Sequence, residues 1–341
     1  MKTLKTAVIM LSTAMVMSLT AGCSKASSAA TDGPLYVKDN DTSNTEIRFF
    51  INQNNQTALD IMNEAATKFE SDTGVKVTFS NYVQDSNQGN KSYDDVARER
   101  IESGSPDDIY ILNAGVLQDE VKKGNIEALT YLDGMDSLTE EALNGSKIKG
   151  VQYCLPMFMS AYCLYANTEI LKANGLSVPT NLSEFMDCCS KLKAAGITPF
   201  EGNKWWTEVL VLADGMSDFY FDNGSVDDLN SGKTAISTYL TKGFKLVEGM
   251  DKLGYMDLKT MYDVAPGDDT KDLFAGKCAF AVSLGTTINE DYAANRDQYV
   301  VTGVPVREDG SVVLLNPDLR ICVCSKGENT EAAKKFLISI F

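Results

Sequence analysis

The residues able to do chemistry inform as much by absence as by presence. The 341-residue chain contains no histidine. That removes the usual general base, the Ser-His-Asp and Cys-His nucleophile systems and nearly all catalytic zinc sites. An enzyme built from this chain would work through carboxylates, Lys or Tyr. Asp and Glu number 47, so spacing along the chain picks out no catalytic pair; a glycosidase pair is defined by a separation of about 5–10 Å in space. Cys23 aside, seven cysteines remain: Cys154, Cys163, Cys188, Cys189, Cys278, Cys322 and Cys324. An odd number cannot all pair internally. Their neighbours (YCLP, YCLYA, MDCCS, KCAFAV, ICVCS) read as strand or helix core, where Cys is a small apolar filler. Cys322-x-Cys324 turns both thiols to one face of a strand but lacks the second pair that a metal site needs. No metal and no cofactor are expected.

Two other motifs fail on inspection. Gly232-Lys233-Thr234 looks like the end of a phosphate loop, but Asp227 stands where that loop needs glycine, and a carboxylate there repels phosphate. The acidic run Asp218 to Asp228 (DFYFDNGSVDD) lacks the alternating oxygen ligands and fixed glycine of a calcium loop, and reads as a turn. Trp205 and Trp206, the only tryptophans, follow Glu201-Gly202-Asn203-Lys204. Adjacent residues cannot share one helix stripe, and in a strand they face opposite ways. One of the pair therefore belongs to the core. The other stands in a Gly/Asn-rich loop as a flat apolar plate, with Trp206 favoured for that place.

The elements that must position these residues alternate between strand and helix. EIRFFI (Glu46 to Ile51) is a strand ending on the polar run Asn52-Gln53-Asn54-Asn55. Ala58, Ile61, Met62, Ala65 and Phe69 place a helix over Thr57 to Ser71. Val75, Val77 and Phe79 make a second strand. A helix over Tyr93 to Ser103 leads into the strand DIYIL (Asp108 to Leu112), which ends at Asn113. The pattern then repeats. YCLYA is a strand, Asn167 caps the helix after it, and Asn181 with Glu184 is spaced as a capping box. A long helix covers Thr234 to Leu253. CAFAVS (Cys278 to Ser283) is a strand buried on both faces, and 300–304, 312–315 and 321–324 read as three more. This is the grammar of parallel βαβ units in an α/β protein.

The amino terminus has its own logic. Lys2 and Lys5 precede the apolar run Ala7 to Leu19, which is too short for the ~20 residues of a membrane span and has the length of an export signal. Leu19-Thr20-Ala21-Gly22-Cys23 resembles the lipobox of bacterial lipoproteins. The resemblance implies a signal peptide over residues 1–22, a diacylglyceryl group on the Cys23 thiol, and a protein anchored outside the cell membrane. Residues 23–45, rich in Ser, Ala, Asp and Asn, read as a flexible tether. A formal charge of −16 argues against nucleic acid and against docking on anionic lipid.

"ATKFESDTGVKVTF" and "VARERIESGSPDDIYILNAGVLQDEVKKGNIEAL" resemble the first lobe of extracellular solute-binding proteins of ABC importers, most closely the sugar-binding family that includes maltose-binding protein. "GVQYCLPMFMSAYCLYANTEILKANGLSVPTNLSEFMDCCSKLKAAGITPFEG" is similar to that family's crossing into the second lobe. "LFAGKCAFAVSLGTT" resembles its return strand, and "ICVCSKGENTEAAKKFLISI" its late helix. The resemblance implies two α/β lobes, a hinge and a ligand cleft between the lobes. Lobe 1 would comprise 46–153 plus 284–318, and lobe 2 154–283 plus 319–341, C-terminally incomplete. Asn52, Gln53 and Asn113, in loops after strands, would offer amides; Phe158, Tyr162, Trp205 and Trp206 would offer flat faces. Gly285 belongs to the return strand, and Thr286 with Thr287 stands where the family often carries an aromatic. A sugar needs this mixture of planar polar groups and rings. The implied protein is a monomeric receptor that performs no chemistry on its ligand, closes its lobes on it and passes it to an ABC permease. A receptor for a cationic solute such as a polyamine or peptide is the alternative that inward carboxylates would favour. A secreted carbohydrate-active enzyme would instead need paired carboxylates across a cleft.

Overall fold

The computed structural model of the protein describes residues 6–10, 46–53, 56–82, 91–129, 132–221, 224–265, 267–289 and 293–341. Cys23, the tether and the greater part of the signal segment lie outside these residues. Thr6–Met10 forms a strand, β1, running parallel to residues 311–315. The chain divides into two compact units: a first of residues 12–159 and 317–341, and a second of 1–11 and 160–316.

In the first unit the alternating stretch Glu46–Ile51 forms β2. Helix α1 (Gln56–Thr73) then buries Ala58, Met62, Ala65 and Phe69 of the stripe read from the sequence, with Ala66 added and Ile61 only half-buried. Gly74 ends it at φ +75°, a conformation that costs a residue with a Cβ. Strand β3 (Lys76–Asn81) pairs parallel with β2. Helix α2 (Tyr93–Ile101) starts in a capping box between Ser92 and Asp95. Strand β4 (Ile109–Ile111), wholly buried, also pairs parallel with β2. Helices α3 (Ala114–Lys122) and α4 (Glu140–Ser146) and the hairpin of β5 (Lys147–Ile148) and β6 (Val151–Gln152) follow. The core under this sheet gathers Ile47, Phe49, Met62, Phe69, Ile109 and Leu155.

Strand β7 (Leu155–Asn167) begins in the first unit and ends in the second. There Asn167 Oδ1 accepts from the backbone N–H of Glu169 and Ile170, both at 3.1 Å, opening α5 (Thr168–Ala173). Asn181 Oδ1 accepts from Glu184 N at 2.9 Å to open α6 (Leu182–Ala194). The Glu184 carboxylate reaches back to Thr180 N (2.8 Å) rather than to Asn181 N, so the expected box is offset by one residue. Strand β8 (Thr198–Glu201) is followed by α7 (Lys204–Phe221), α8 (Val226–Asn230), α9 (Ser237–Lys252), α10 (Leu258–Asp263) and α11 (Asp268–Phe274). Strand β9 (Cys278–Leu284) lies between β8, parallel to it, and β7, antiparallel to it. Helices α7 and α9 touch through glycine: a Cβ on Gly243 would lie 2.1 Å from the Val211 carbonyl oxygen. β10 (Tyr299–Thr302) pairs with β7, and β11 (Val304–Arg307) forms a hairpin with β12 (Gly310–Val323).

Three expectations change. The stretches 312–315 and 321–323 belong to one strand, β12, which runs without a break through Asn316-Pro317, and Cys324 lies just beyond its end. The lobe boundaries move as well. Residues 284–316 stay with the second unit because β10 and β11 build onto its strands. The tail from 319 returns to the first unit, because β12 pairs with β4 at Ile321–Val323 and α12 (Thr330–Ser339) sets Phe336 against Phe69 and Phe49, ring centroids 5.4 and 6.5 Å apart. Finally, Trp205 and Trp206 lie in the first turn of α7 and not in a loop.

Candidate functional site

The first unit carries a cavity of about 290 Å³ at the carboxyl ends of its parallel strands, where open α/β sheets bind ligands. Asn52 enters from the end of β2 and Asn113 from the end of β4. The start of α2 contributes Asp94, and β12 contributes Asp318, Leu319 and Arg320. Asn113 Nδ2 donates to both carboxylate oxygens of Asp94 at 3.0 Å, which fixes the amide plane and leaves its Oδ1 as the outward acceptor. Leu319 sits at φ +47°, the left-handed region that costs a residue with a Cβ about 1–2 kcal/mol. The arrangement is held from below: Arg320 O accepts from Leu112 N at 3.0 Å, and buried Tyr93 donates to Phe50 O at 3.0 Å. Burial pushes the Tyr93 hydroxyl well above its ordinary pKa, so it stays a donor.

Of the residues expected here, Asn52 and Asn113 share the cavity, and both are exposed. Gln53 does not line it. Its backbone is tied to Asn81, N–H to Oδ1 at 3.3 Å and carbonyl from Nδ2 at 3.2 Å, and its side chain is buried. Phe158 is half-buried on β7 in the same unit. Asp94, Asp318 and Arg320 were not expected. The one signal for Asp94 is its place just inside a helix that Ser92 caps; for Asp318 and Arg320 it is a proline in the middle of a long strand.

In the second unit, buried Asn203 organises the end of β8. Its Oδ1 accepts from Trp205 N (2.9 Å) and Trp206 N (3.2 Å), capping α7, and its Nδ2 donates to Asp269 Oδ1 (3.1 Å). The cap turns the two indoles apart. Trp205 is 52 % exposed, with Lys204 Nζ 5.4 Å from its ring centroid and 5.3 Å from that of exposed Tyr262. Trp206 packs on the core beside Tyr162, ring centroids 5.8 Å apart, and its Nε1–H is buried without a hydrogen-bond partner among the described residues. The indole that stands outward is therefore Trp205, where the sequence favoured Trp206. Gly285 N donates to Ala161 O at 2.8 Å, and a Cβ there would sit 3.6 Å from Cys163 Sγ. Thr286 is exposed and opens a short turn, while Thr287 is buried, its hydroxyl 2.9 Å from that of Ser283.

The seven cysteines outside the signal region are buried thiols. Burial raises each of them, Cys154 to about 12, so none is poised as a nucleophile at neutral pH. Among the described residues no group of three acidic or Cys side chains is arranged to hold a metal, and no helix is long and apolar enough to cross a membrane.

A search of curated protein sequences found no match. Solved structures do match. A family 1 extracellular solute-binding protein from Bifidobacterium longum subsp. infantis superposes with a TM-score of 0.69 at 22 % identity, over 86 % of this chain and 76 % of that one. A chitin oligosaccharide binding protein gives 0.66 at 18 % identity, over 87 % and 76 %. The apo form of RafE from Streptococcus pneumoniae gives 0.66 at 18 % identity, over 88 % and 77 %. These likenesses establish the fold. The sequence profile of the bacterial extracellular solute-binding proteins matches residues 64–340. With that span, the chain belongs to this family of extracytoplasmic receptors that serve ABC importers.

Proposed function

We propose that the protein is a lipid-anchored receptor that captures a mono- or oligosaccharide by lobe closure and delivers it to the permease of an ABC importer. The Asn113–Asp94 pair in the first cavity carries this reading. A planar amide locked onto a carboxylate, beside Asn52 and Arg320, offers the donors and acceptors that sugar hydroxyls need. The exposed indole of Trp205 adds the flat face that sugar C–H groups favour. Structural neighbours named for oligosaccharides support the same ligand class.

The test is a thermal-shift screen of the mature protein against neutral mono- and oligosaccharides, followed by titration of the best one. A ligand bound only by the native state raises the melting point. Asn113→Ala is expected to weaken that sugar roughly tenfold or more, the loss of one well-placed polar contact, while leaving the melting curve of the free protein in place. An unchanged affinity, or a panel without a single saturable shift, overturns the reading. For the anchor, Cys23→Ser is expected to release the protein to the medium or leave it unprocessed. A mature-sized variant that still fractionates with membranes removes Cys23 from that role.

A further inference from the structure

A second, larger cavity of about 720 Å³ lies wholly in the second unit, along β8 and beneath α10 and α11. None of the residues assigned to sugar contact lines it. Its walls are apolar where Ile197, Phe200, Met256, Met261 and Val264 meet. Its carboxylates differ in what occupies them. Asp251 accepts from Leu258 N at 2.9 Å, and Asp257 caps α10 through Lys259 N and Thr260 N. Asp272 is paired with Lys277 at 2.6 Å. Two are left with open valence. Glu201, at the end of β8, makes no carboxylate hydrogen bond among the described residues. Asp269 is 1 % exposed; its Oδ1 takes Asn203 Nδ2 and Gly267 N, while Oδ2 is buried with no hydrogen-bond partner among the described residues.

A buried carboxylate oxygen without a donor costs free energy that a bound donor recovers. Burial raises the pKa of Glu201, with Asp272 and Asp269 adding to the rise and Lys277 only partly opposing it, and burial alone raises that of Asp269; a further cation between them would oppose both shifts. The apolar walls, and the lack of a metal-ligating cluster among the described residues, select an organic cation over a bare ion. We propose that this cavity binds a protonated primary amine, with its ammonium at Glu201 and Asp269 and its carbon chain along Phe200 and Met261. The amine comes either from a free aliphatic amine or from an amino sugar, and the inference stands apart from the neutral-sugar site.

The full chain is titrated with 1,4-diaminobutane, with 1,4-butanediol as the uncharged match, and with glucosamine against glucose. The diamine is expected to bind saturably and the diol not to bind. Saturable glucosamine binding lost in the same variants supports the site with the amine carried on a sugar. Glu201→Gln and Asp269→Asn keep the shape of each side chain, and Asn retains the Oδ1 that accepts from Asn203 and Gly267. Each is expected to weaken the amine roughly tenfold or more, as for loss of a charge-assisted hydrogen bond, with the response to a neutral sugar intact. Absence of saturable binding by either amine, or equal amine affinity in the double variant, overturns the site. Asn113→Ala leaves amine binding unchanged, so this proposal and the sugar reading fail independently.

Discussion

Beside the first unit's cavity the departure from ordinary structure is in the backbone: Leu319 holds φ +47°, and the other described non-glycine residue at positive φ, Lys149, belongs to the same unit. In the second unit every described residue with a side chain keeps negative φ, and the departures include buried side-chain atoms without a hydrogen-bond partner among the described residues, Trp206 Nε1 and, at its cavity, Asp269 Oδ2. Both kinds cost stability, yet they answer to different demands. A left-handed residue sets the direction of a strand and its neighbours, and persists where surrounding structure over-determines it. An orphaned donor or acceptor sets up a place for something else to bind. Beside the first cavity the cost is stored in aim, and at the second in vacancy.

The largest expected effect breaks this contrast at the tryptophan pair. Trp206→Ala removes a ring packed on Tyr162 and the second-unit core and is expected to cost about 3 kcal/mol in urea unfolding. Trp206→Phe keeps most of the packing and deletes the unpartnered N–H, so its loss is expected to stay below about 1 kcal/mol. Trp205→Ala, at an exposed site, leaves the melting curve nearly unchanged and weakens a bound sugar roughly tenfold. Equal destabilisation by Trp205→Ala and Trp206→Ala would mean that the exposed indole is part of the fold and not a plate.

That Trp205 is the exposed indole was out of reach from the sequence, and the reason is local. Asn203 reads as a loop residue after Glu201-Gly202, whereas its side chain accepts from the backbone N–H groups of both tryptophans and starts a helix one residue later. The strands and the buried faces of α1 and α6 were legible because alternation and helical spacing survive in Glu46–Ile51, in Ala58 to Phe69 and in Phe185 to Leu192. The unit boundaries were not, since the chain crosses inside β7 and β12, and a residue within a strand carries no composition shift. Asn52 and Asn113 were found because each follows a strand. Asp94, Asp318 and Arg320 reach the same cavity from distant parts of the chain, and nothing in their neighbours announces it.

A middle-sized effect sharpens the contrast through pH. Burial raises the Asp269 carboxyl above its ordinary 3.8. Between that value and the raised one, the folded chain holds a proton that the unfolded chain has lost, so stability falls as pH climbs through this window and stays lower above it. Asp269→Asn cannot ionise. It is expected to be more stable than the parent by about 1 kcal/mol at neutral pH, and the advantage shrinks as pH falls through the window. Urea unfolding at several pH values reads this directly. A variant less stable than its parent at neutral pH would show that the ionised Oδ2 is satisfied, and that vacancy is the wrong description of this unit.

The smallest effect separates the first unit's two left-handed residues. Lys149 and Gly150, at φ 50° and 79°, form the two-residue turn joining β5 to β6. With positive φ at both positions, such a turn favours Asn-Gly. Lys149 is exposed, so Lys149→Asn removes strain and little packing; a gain of about 0.5 kcal/mol is expected. Leu319→Asn relieves the same kind of strain, but Leu319 packs against the first-unit core, and losing that contact is expected to outweigh the relief by about 1 kcal/mol. Its sugar affinity is expected to fall too, because Leu319 lines the cavity between Asp318 and Arg320. The two substitutions should therefore move stability in opposite directions in the same urea experiment. Should Leu319→Asn gain as much as Lys149→Asn with its ligand affinity intact, the strain beside the cavity aims nothing, and it is a turn residue like the other.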